Sequence, residues 1–155
     1  MEKTNVMRVI QQKKIQYKEY YYWDTNATNG VSIANVMWED INTVFKTLVT
    51  IWKTGKHYVF MIPVAEELDL KKCAKVVDEK NIEMIPQKEL LPLTWYIHWG
   101  CSPIGMKKQF KTIIHSSAKE HSTIIFSWWK VGYQVEITLD DLKKIINFDL
   151  ADIIR

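Results

Sequence analysis

Apolar residues recur along the chain with two different periods, and the change of period predicts where helices and strands lie. Near the amino terminus, Val6, Val9 and Ile10 follow Thr4 at helical spacing. This pattern predicts a helix that Thr4 caps and that continues to about residue 14. Residues 68–77 show the same period, with lysines on the polar side, and predict a second amphipathic helix.

Short apolar segments between turn residues predict strands. They cover residues 17–23, 44–52, 58–62, 83–85, 111–114, 123–127 and 133–137. The segment 53–56 predicts a hairpin between the second and third strands, and Pro63 is expected to end the third. Short helical segments are expected from about residue 32 and over 86–91. Thr138, three residues before Asp141, predicts a capped final helix through Ile146.

Clustered strands with helices at both ends favour an α+β fold with a curved mixed sheet. No repeat or linker interrupts the pattern, so we expect a single domain over residues 1–155. With 47% apolar residues the chain can bury a sizeable core. The net charge of +3 permits a polyanionic partner without demanding one.

The expected compartment is the cytoplasm. The first twenty residues carry scattered charges without an apolar segment, which does not resemble a signal peptide. The longest apolar run, residues 58–65, is far shorter than the roughly 20 residues of a membrane helix. Two cysteines cannot form a disulfide framework and are expected to be free thiols.

Lys46 is the first candidate for chemistry because it lies inside an apolar strand. Period-two alternation places Val44, Lys46 and Leu48 on one face and Phe45 and Thr47 on the other. A lysine buried there is costly unless its ammonium group opens into a cavity or has a partner. The alternative is a lysine at a strand edge that extends its ammonium group to water.

The second candidate is the loop 100–105, in which Gly100 and Gly105 bracket a Ser-Pro pair. Such a loop is rich in backbone amides that can face a ligand. Lys107, Lys108 and Lys111 follow it and would suit a phosphate backbone. A structural turn followed by a solvated basic face is the alternative interpretation.

Other chemistries have weaker support. Cys101 could act as a nucleophile only with a base such as His98 within hydrogen-bond reach, and proximity in sequence does not establish that geometry.

The four histidines show no metal-ligand spacing, and no P-loop or dinucleotide motif occurs, so neither a metal nor a cofactor is expected. Four of the seven tryptophans, with Lys130 nearby, could stack bases or could belong to the core.

Five segments in order carry a resemblance to a known family. They are FKTLV at 45–49, IPVAEELDLKK at 62–72, EMIP at 83–86, KELLPLT at 88–94 and GCSPIGMKKQ at 100–109. Together they resemble the YbaK/EbsC-type aminoacyl-tRNA deacylases, which are related to the bacterial prolyl-tRNA synthetase editing domain. The likeness extends from about residue 4 to residue 152.

The resemblance implies a barrel-like mixed sheet with flanking helices and hydrolysis of the ester between a wrong amino acid and the tRNA 3′ end. Cys-tRNA(Pro) is the expected substrate, since a prolyl-tRNA synthetase cannot reject cysteine by size. Mischarged tRNA is therefore the expected partner, a prolyl-tRNA synthetase a second one, and neither a membrane nor a metal is expected. An Ala-tRNA(Pro) deacylase on the same scaffold remains an alternative.

The resemblance also implies the roles of individual residues. Lys46 matches the essential family lysine and would hold the 3′-terminal nucleotide while the substrate's thiol, or a water, attacks the carbonyl. The implied substrate-binding residues are Tyr22, Thr47, Gly100, Cys101, Ser102, Pro103, Gly105 and Ser127. Weaker tRNA contacts are expected from Lys107, Lys108, Lys111 and Lys130.

The tryptophans depart from the family pattern. Trp38, Trp52, Trp95, Trp99, Trp128 and Trp129 stand where the family commonly has glycine or another small residue. One hypothesis is that a UGA codon read as glycine in the native organism is rendered here as tryptophan. Another is that these rings obstruct the pocket, which would leave a tRNA- or synthetase-binding module with little activity.

Overall fold

The computed structural model describes residues 5–21, 30–37, 39–52, 55–94, 101–104, 106, 110–127 and 133–155. Its helices are α1 (Asn5–Lys13), α2 (Gly30–Val36), α3 (Leu70–Val76), α4 (Leu90–Thr94) and α5 (Leu139–Lys143). Its strands are β1 (Lys18–Tyr21), β2 (Phe45–Ile51), β3 (His57–Pro63), β4 (Glu83–Met84), β5 (Lys111–His115), β6 (Ile124–Ser127), β7 (Tyr133–Ile137) and β8 (Asp149–Ala151). Short 3-10 turns cover Gln87–Glu89 and Ser116–Glu120.

The predicted hairpin is present. β2 and β3 pair antiparallel along their whole length, with Lys46 opposite Ile62. The turn closes through the Trp52 amide, which donates to the Lys56 carbonyl at 2.8 Å. Gly55 has a φ of 89°, a value that L side chains rarely adopt. As expected, β3 ends at its proline.

The strands form two sheets. The large sheet has the order β4-β2-β3-β5-β8 and is mixed, because β5 runs parallel to both of its neighbours while the other pairs are antiparallel. The small sheet, β1-β7-β6, is antiparallel. An isolated parallel bridge joins Val44, just before β2, to Ile125 in β6. The described strands thus confirm an α+β fold with a mixed sheet, in two parts and without a closed barrel.

Each sheet has one face toward a shared core and one face under a helix. The shared core includes Phe45 and Met61 of the large sheet and Phe126 of the small sheet. On the other face of the large sheet, Phe60 and Ile62 pack with the buried residues of α3. On the other face of the small sheet, Ile125 packs with Val44 and with Ala34 of α2. We call this second face of either sheet its outer face.

The carboxyl-terminal segment differs from the prediction. Thr138 does cap α5, since its side chain accepts a hydrogen bond from the Asp141 amide at 3.1 Å. However, α5 ends at Lys143 rather than at Ile146, and the chain then turns to bury Phe148 in the shared core. This turn brings β8 beside β5, a strand that the sequence did not reveal because three residues show no alternation.

Two predictions concern residues that are mostly outside the described ranges. The first is the cap of α1 at Thr4, and the second is the role of the tryptophans, of which only Trp52 is described. Trp52 is half-buried against the cluster under α3. Among described residues other than glycine, positive φ occurs at Lys14 and Asp78, so the backbone at Trp52 does not require glycine. No helix in the described part of the chain is long and apolar enough to cross a bilayer.

Candidate active site

Lys46 lies in β2 with its side chain half-buried. Burial lowers the pKa of its ammonium group, and the negative charges of Glu67 and Glu66 act in the opposite direction. No hydrogen bond or ion pair joins this ammonium group to another described residue. On one side Lys46 pairs with Ile62 of β3, and on the other side an isolated bridge joins β6 to Val44, two residues before Lys46. A desolvated ammonium group in this position is available to an anionic or carbonyl ligand.

The bridge between the sheets brings Ser127 level with Lys46. Val44 and Ile125 form a parallel pair, and Lys46 and Ser127 each follow it by two residues. Side chains two residues apart on a strand point to the same face of the sheet. The side chains of Lys46 and Ser127 therefore both belong to the outer face. The prediction that these two residues share a site is consistent with this placement. Ser127 is half-buried at the end of β6.

A polar row continues from Ser127 across the small sheet. Ser127 is directly opposite Gln134 of β7, and Gln134 is directly opposite Tyr20 of β1. Residues directly opposite one another in an antiparallel sheet share a face. Tyr20 packs against the same cluster as Ile125, which confirms that this is the outer face. The row therefore runs Lys46, Ser127, Gln134, Tyr20.

Glu39 contacts this row at Gln134, and sequence reasoning missed it. In the amide orientation that satisfies both groups, the Gln134 nitrogen donates to Glu39 Oε2 at 2.8 Å and to Oε1 at 3.2 Å. Burial raises the pKa of Glu39 to about 7, with a smaller contribution from the charge of Glu136, while the Gln134 hydrogen bond acts against the shift. Alternation in β7 could have shown that Gln134 faces outward, but no local pattern connects it to Glu39, 95 positions earlier.

A second carboxylate on the outer face has a different environment. Glu136 accepts hydrogen bonds from the hydroxyl groups of Tyr20 and Thr123. Burial alone would raise the pKa of Glu136, but these two hydrogen bonds and the charge of Lys18 outweigh burial and hold it below its ordinary value. The hydrogen bond to Glu136 also raises the pKa of Tyr20 to about 12. The surroundings of Glu136 therefore favour its anionic form, whereas burial disfavours the anionic form of Glu39.

Thr47, an expected substrate-binding residue, lies on the opposite face of β2 from Lys46, as alternation requires. Its neighbours on that face, Phe45 and Val49, belong to the shared core. The Thr47 hydroxyl group is buried, and no hydrogen-bond partner for it exists among the described residues. The structure does not bring the Thr47 side chain to the outer face where Lys46 lies.

The loop predicted to face the substrate is largely buried where it is described. Cys101, Ser102, Pro103 and Ile104 are all buried, and the Ile104 amide donates to the Ser102 hydroxyl group at 3.2 Å. These side chains pack inward, so any contact with a ligand would come from the backbone of this loop. Its flanking glycines lie outside the described residues.

Cys101 does not have the environment of a nucleophile. Its side chain packs in the shared core, and burial raises the pKa of its thiol to about 12, against the opposing effect of a hydrogen bond with Thr94. A reactive thiol needs a lowered pKa and some exposure. The structure therefore argues against the cysteine-nucleophile alternative; His98, its suggested base, is outside the described residues.

Of the lysines expected to contact tRNA, the structure describes Lys111. It is exposed at the start of β5, opposite Tyr58. Lys46 is opposite Ile62, four positions further along β3, which separates the two lysines by roughly 13 Å along the sheet. Lys111 is thus remote from the polar row. The remaining predicted site residues outside the described ranges are Tyr22, Gly100, Gly105, Lys107, Lys108 and Lys130.

Comparison with known proteins identifies the family. The sequence profile of the aminoacyl-tRNA editing domain matches residues 26–145. This chain belongs to the aminoacyl-tRNA editing domain family. It is therefore an aminoacyl-tRNA deacylase, a hydrolase, as the sequence motifs predicted. In this editing enzyme, the polar row and its lysine are the candidate active site.

Individual relatives agree with this assignment. The editing enzyme is 41% identical over 153 residues to a protein of Enterococcus faecalis that is named as the Cys-tRNA(Pro)/Cys-tRNA(Cys) deacylase EbsC, a match that covers 98% of this chain and 93% of that protein. A crystal structure described as a trans-editing enzyme for prolyl tRNA synthetase has a TM-score of 0.83 at 16% identity, over 97% of this chain and 95% of that one. A hypothetical protein of known structure has a TM-score of 0.85 at 14% identity, over 97% and 99% of the two chains. The two structural matches show the fold alone.

Proposed function

We propose that this editing enzyme acts in trans on Cys-tRNA(Pro) and removes the cysteine through attack by the substrate's own thiol. The observation that carries the proposal is the position of Lys46, a partly desolvated ammonium group on the same face as Ser127, near the bridge that joins the two sheets. The name of the Enterococcus faecalis relative supports cysteine as the acyl group. A prolyl-tRNA synthetase is the proposed source of the mischarged tRNA and a proposed partner.

The proposed reaction needs little protein chemistry. Lys46 would bind the 3′-terminal nucleotide and hold the ester so that the cysteine sulfur meets its own carbonyl carbon. The sulfur–carbon bond forms as the bond from the carbonyl carbon to the ribose oxygen breaks, and the ribose oxygen takes up the proton that the thiol loses. Water then opens the resulting thiolactone and releases free cysteine. Backbone amides of the 100–105 loop and the Ser127 side chain would position the acyl group. The buried, neutral thiol of Cys101 has no role in this scheme.

One experiment tests both substrate and mechanism. Purified tRNA(Pro) charged with cysteine, serine, alanine or proline is incubated with the enzyme, and the loss of each ester is followed. We expect cysteine to be released far faster than serine, since the two are similar in size but the thiolate is the much better nucleophile. Equal rates for cysteine and serine would contradict thiol attack and favour an activated water.

The same assay separates the alternatives. Faster release of alanine than of cysteine would indicate an Ala-tRNA(Pro) deacylase on this scaffold. Binding of all four charged tRNAs without release of any amino acid would indicate a tRNA- or synthetase-binding module. The tryptophans that motivate this last alternative, at positions 95, 99, 128 and 129, lie outside the described residues.

A further inference from the structure

Glu39 is held in a fixed position at Gln134 of the polar row. Its backbone amide donates to the Ala34 carbonyl at 2.9 Å, which ties it to the end of α2. Both of its carboxylate oxygens accept from the amide of Gln134, at 2.8 and 3.2 Å. Gln134 is only 4% exposed and cannot turn away into water. Glu39 itself is half-buried and still accessible from outside.

The charge of Glu39 is not compensated by the protein. Within the described residues no lysine or arginine forms an ion pair with it, and its charged neighbour, Glu136, is also an acid. The near-neutral pKa of about 7 is what burial without a cation produces. A half-buried carboxylate without a cationic partner is costly, and a cation brought by a ligand would lower that cost.

The two ends of the site have opposite charge. Lys46 is at one end of the row, and Glu39 contacts Gln134, which lies one strand further across the small sheet than Ser127. The 3′ end of an aminoacyl-tRNA has the same polarity, because its phosphates are negative and its amino acid carries an α-ammonium group. The charges of the site and of the substrate are therefore complementary in one orientation.

We infer that Glu39, oriented by Gln134, binds the α-ammonium group of the amino acid that the enzyme removes. This inference rests on the proposed function and adds a specificity determinant to it. The ammonium group would donate to the carboxylate, while Lys46 holds the nucleotide end of the ester. The consequence is that the enzyme selects esters with a free amine and rejects N-blocked ones, such as the peptidyl esters present during translation.

The test compares two substrates that differ only at the amine. Cys-tRNA(Pro) and N-acetyl-Cys-tRNA(Pro) are given to the wild-type enzyme, to Glu39→Gln and to Glu83→Gln. The Glu39→Gln variant keeps the shape and a hydrogen bond to Gln134 but loses the charge, and Glu83 is an exposed control on β4. Acetylation also changes the reactivity of the ester. We therefore compare, for each substrate separately, the ratio of kcat/KM between each variant and the wild type.

We expect Glu39→Gln to lower kcat/KM for Cys-tRNA(Pro) by about 10- to 100-fold, the range for one lost charge-assisted hydrogen bond. The same variant should leave kcat/KM for the N-acetyl substrate unchanged, and Glu83→Gln should change neither. An equal loss on both substrates would show that Glu39 acts only through the structure of the site. No loss on either substrate would also overturn the inference.

A binding measurement keeps the inference separate from the proposed function. The stable analogue 3′-(L-cysteinylamino)-3′-deoxyadenosine and its N-acetyl derivative are titrated into the wild-type and Glu39→Gln proteins by calorimetry. We expect the wild type to prefer the free amine and Glu39→Gln to lose that preference. If the wild type releases no amino acid from any tRNA, the proposed function fails, and this preference alone decides the role of Glu39. Equal affinity of the wild type for the two analogues would refute the inference.

Discussion

The outer faces of the two sheets differ in polarity, and the polar one is where we propose that the substrate binds. Where α3 packs on it, the outer face of the large sheet is apolar, with Phe60 and Ile62 fully buried. The outer face of the small sheet instead carries the row Ser127, Gln134, Tyr20. Lys46 lies between these regions, where an apolar surface gives way to a polar one. The apolar region stabilises the fold, and the adjoining polar region is the proposed binding site for a charged substrate.

The largest effect on stability is expected on the apolar face. Phe60→Ala should lower the free energy of unfolding by about 3–5 kcal/mol, because the ring is fully buried under α3 and its removal leaves a cavity. Urea unfolding followed by circular dichroism measures this change. Met84→Ala is a control, since Met84 is 42% exposed. Deacylation per folded molecule should stay normal; a specific loss of turnover would contradict the division between the two faces.

At the border between the two faces, the expected effect is on catalysis. Lys46→Ala should slow deacylation of Cys-tRNA(Pro) by at least about 100-fold, because a group that positions the ester is lost. Single-turnover assays measure the rate, and thermal unfolding should show a folded protein. Lys56→Ala removes an exposed lysine from the turn of the same hairpin and serves as the control. A near-normal rate for Lys46→Ala would exclude this lysine from the mechanism.

The tryptophan hypothesis predicts a gain of function. If UGA codons read as glycine underlie Trp95, Trp99 and Trp129, glycine at these positions should raise both activity and stability, by about 1–3 kcal/mol per site. Trp52→Gly tests the hypothesis at a described position, because Trp52 packs half-buried against the cluster under α3. A gain in stability would support the hypothesis there, and a loss of stability would contradict it. The coding DNA gives a direct check: UGG at the three codons would refute the hypothesis.

The smallest effect concerns the two carboxylates of the polar face. The pKa of Glu39 is raised in the folded state, from about 4.5 to about 7, so the folded state favours its protonated form. Stability is therefore lost as pH rises from about 4.5 through about 7. Glu39→Gln should escape this loss and unfold about 2–4 °C higher than the wild type at pH 8, with the difference vanishing near pH 4.

Glu136→Gln is the matched control, with the opposite sign. The folded-state pKa of Glu136 lies below its ordinary value, so the wild type gains stability from this group above that value and loses it as pH falls. Glu136→Gln should therefore be less stable than the wild type at neutral pH. Thermal unfolding from pH 4 to pH 8 measures both variants. If both variants changed stability in the same direction, the contrast between a carboxylate whose anionic form is disfavoured and one whose anionic form is favoured would be wrong.

Local patterns were sufficient for most elements of the fold. The hairpin of β2 and β3, the cap at Thr138 and the strands β6 and β7 follow from alternation, turn residues and capping chemistry. The early end of α5 and the existence of β8 did not follow, since burial of Phe148 decides where the chain turns. The family motifs indicated Lys46 and Ser127, but Thr47 lies on the opposite face of the strand from that lysine.

The sequence by itself determined the family, the catalytic candidate Lys46 and the class of fold, because motifs and periodicity are properties of neighbouring residues. Only the tertiary structure decided which distant groups meet. The bridge at Val44 and Ile125 brings Lys46 level with Ser127, and the end of α2 carries Glu39 to Gln134. The unusual pKa of Glu39 depends on burial and on the absence of a nearby cation within the described residues. Such conditions belong to the folded surroundings, and no stretch of sequence contains them.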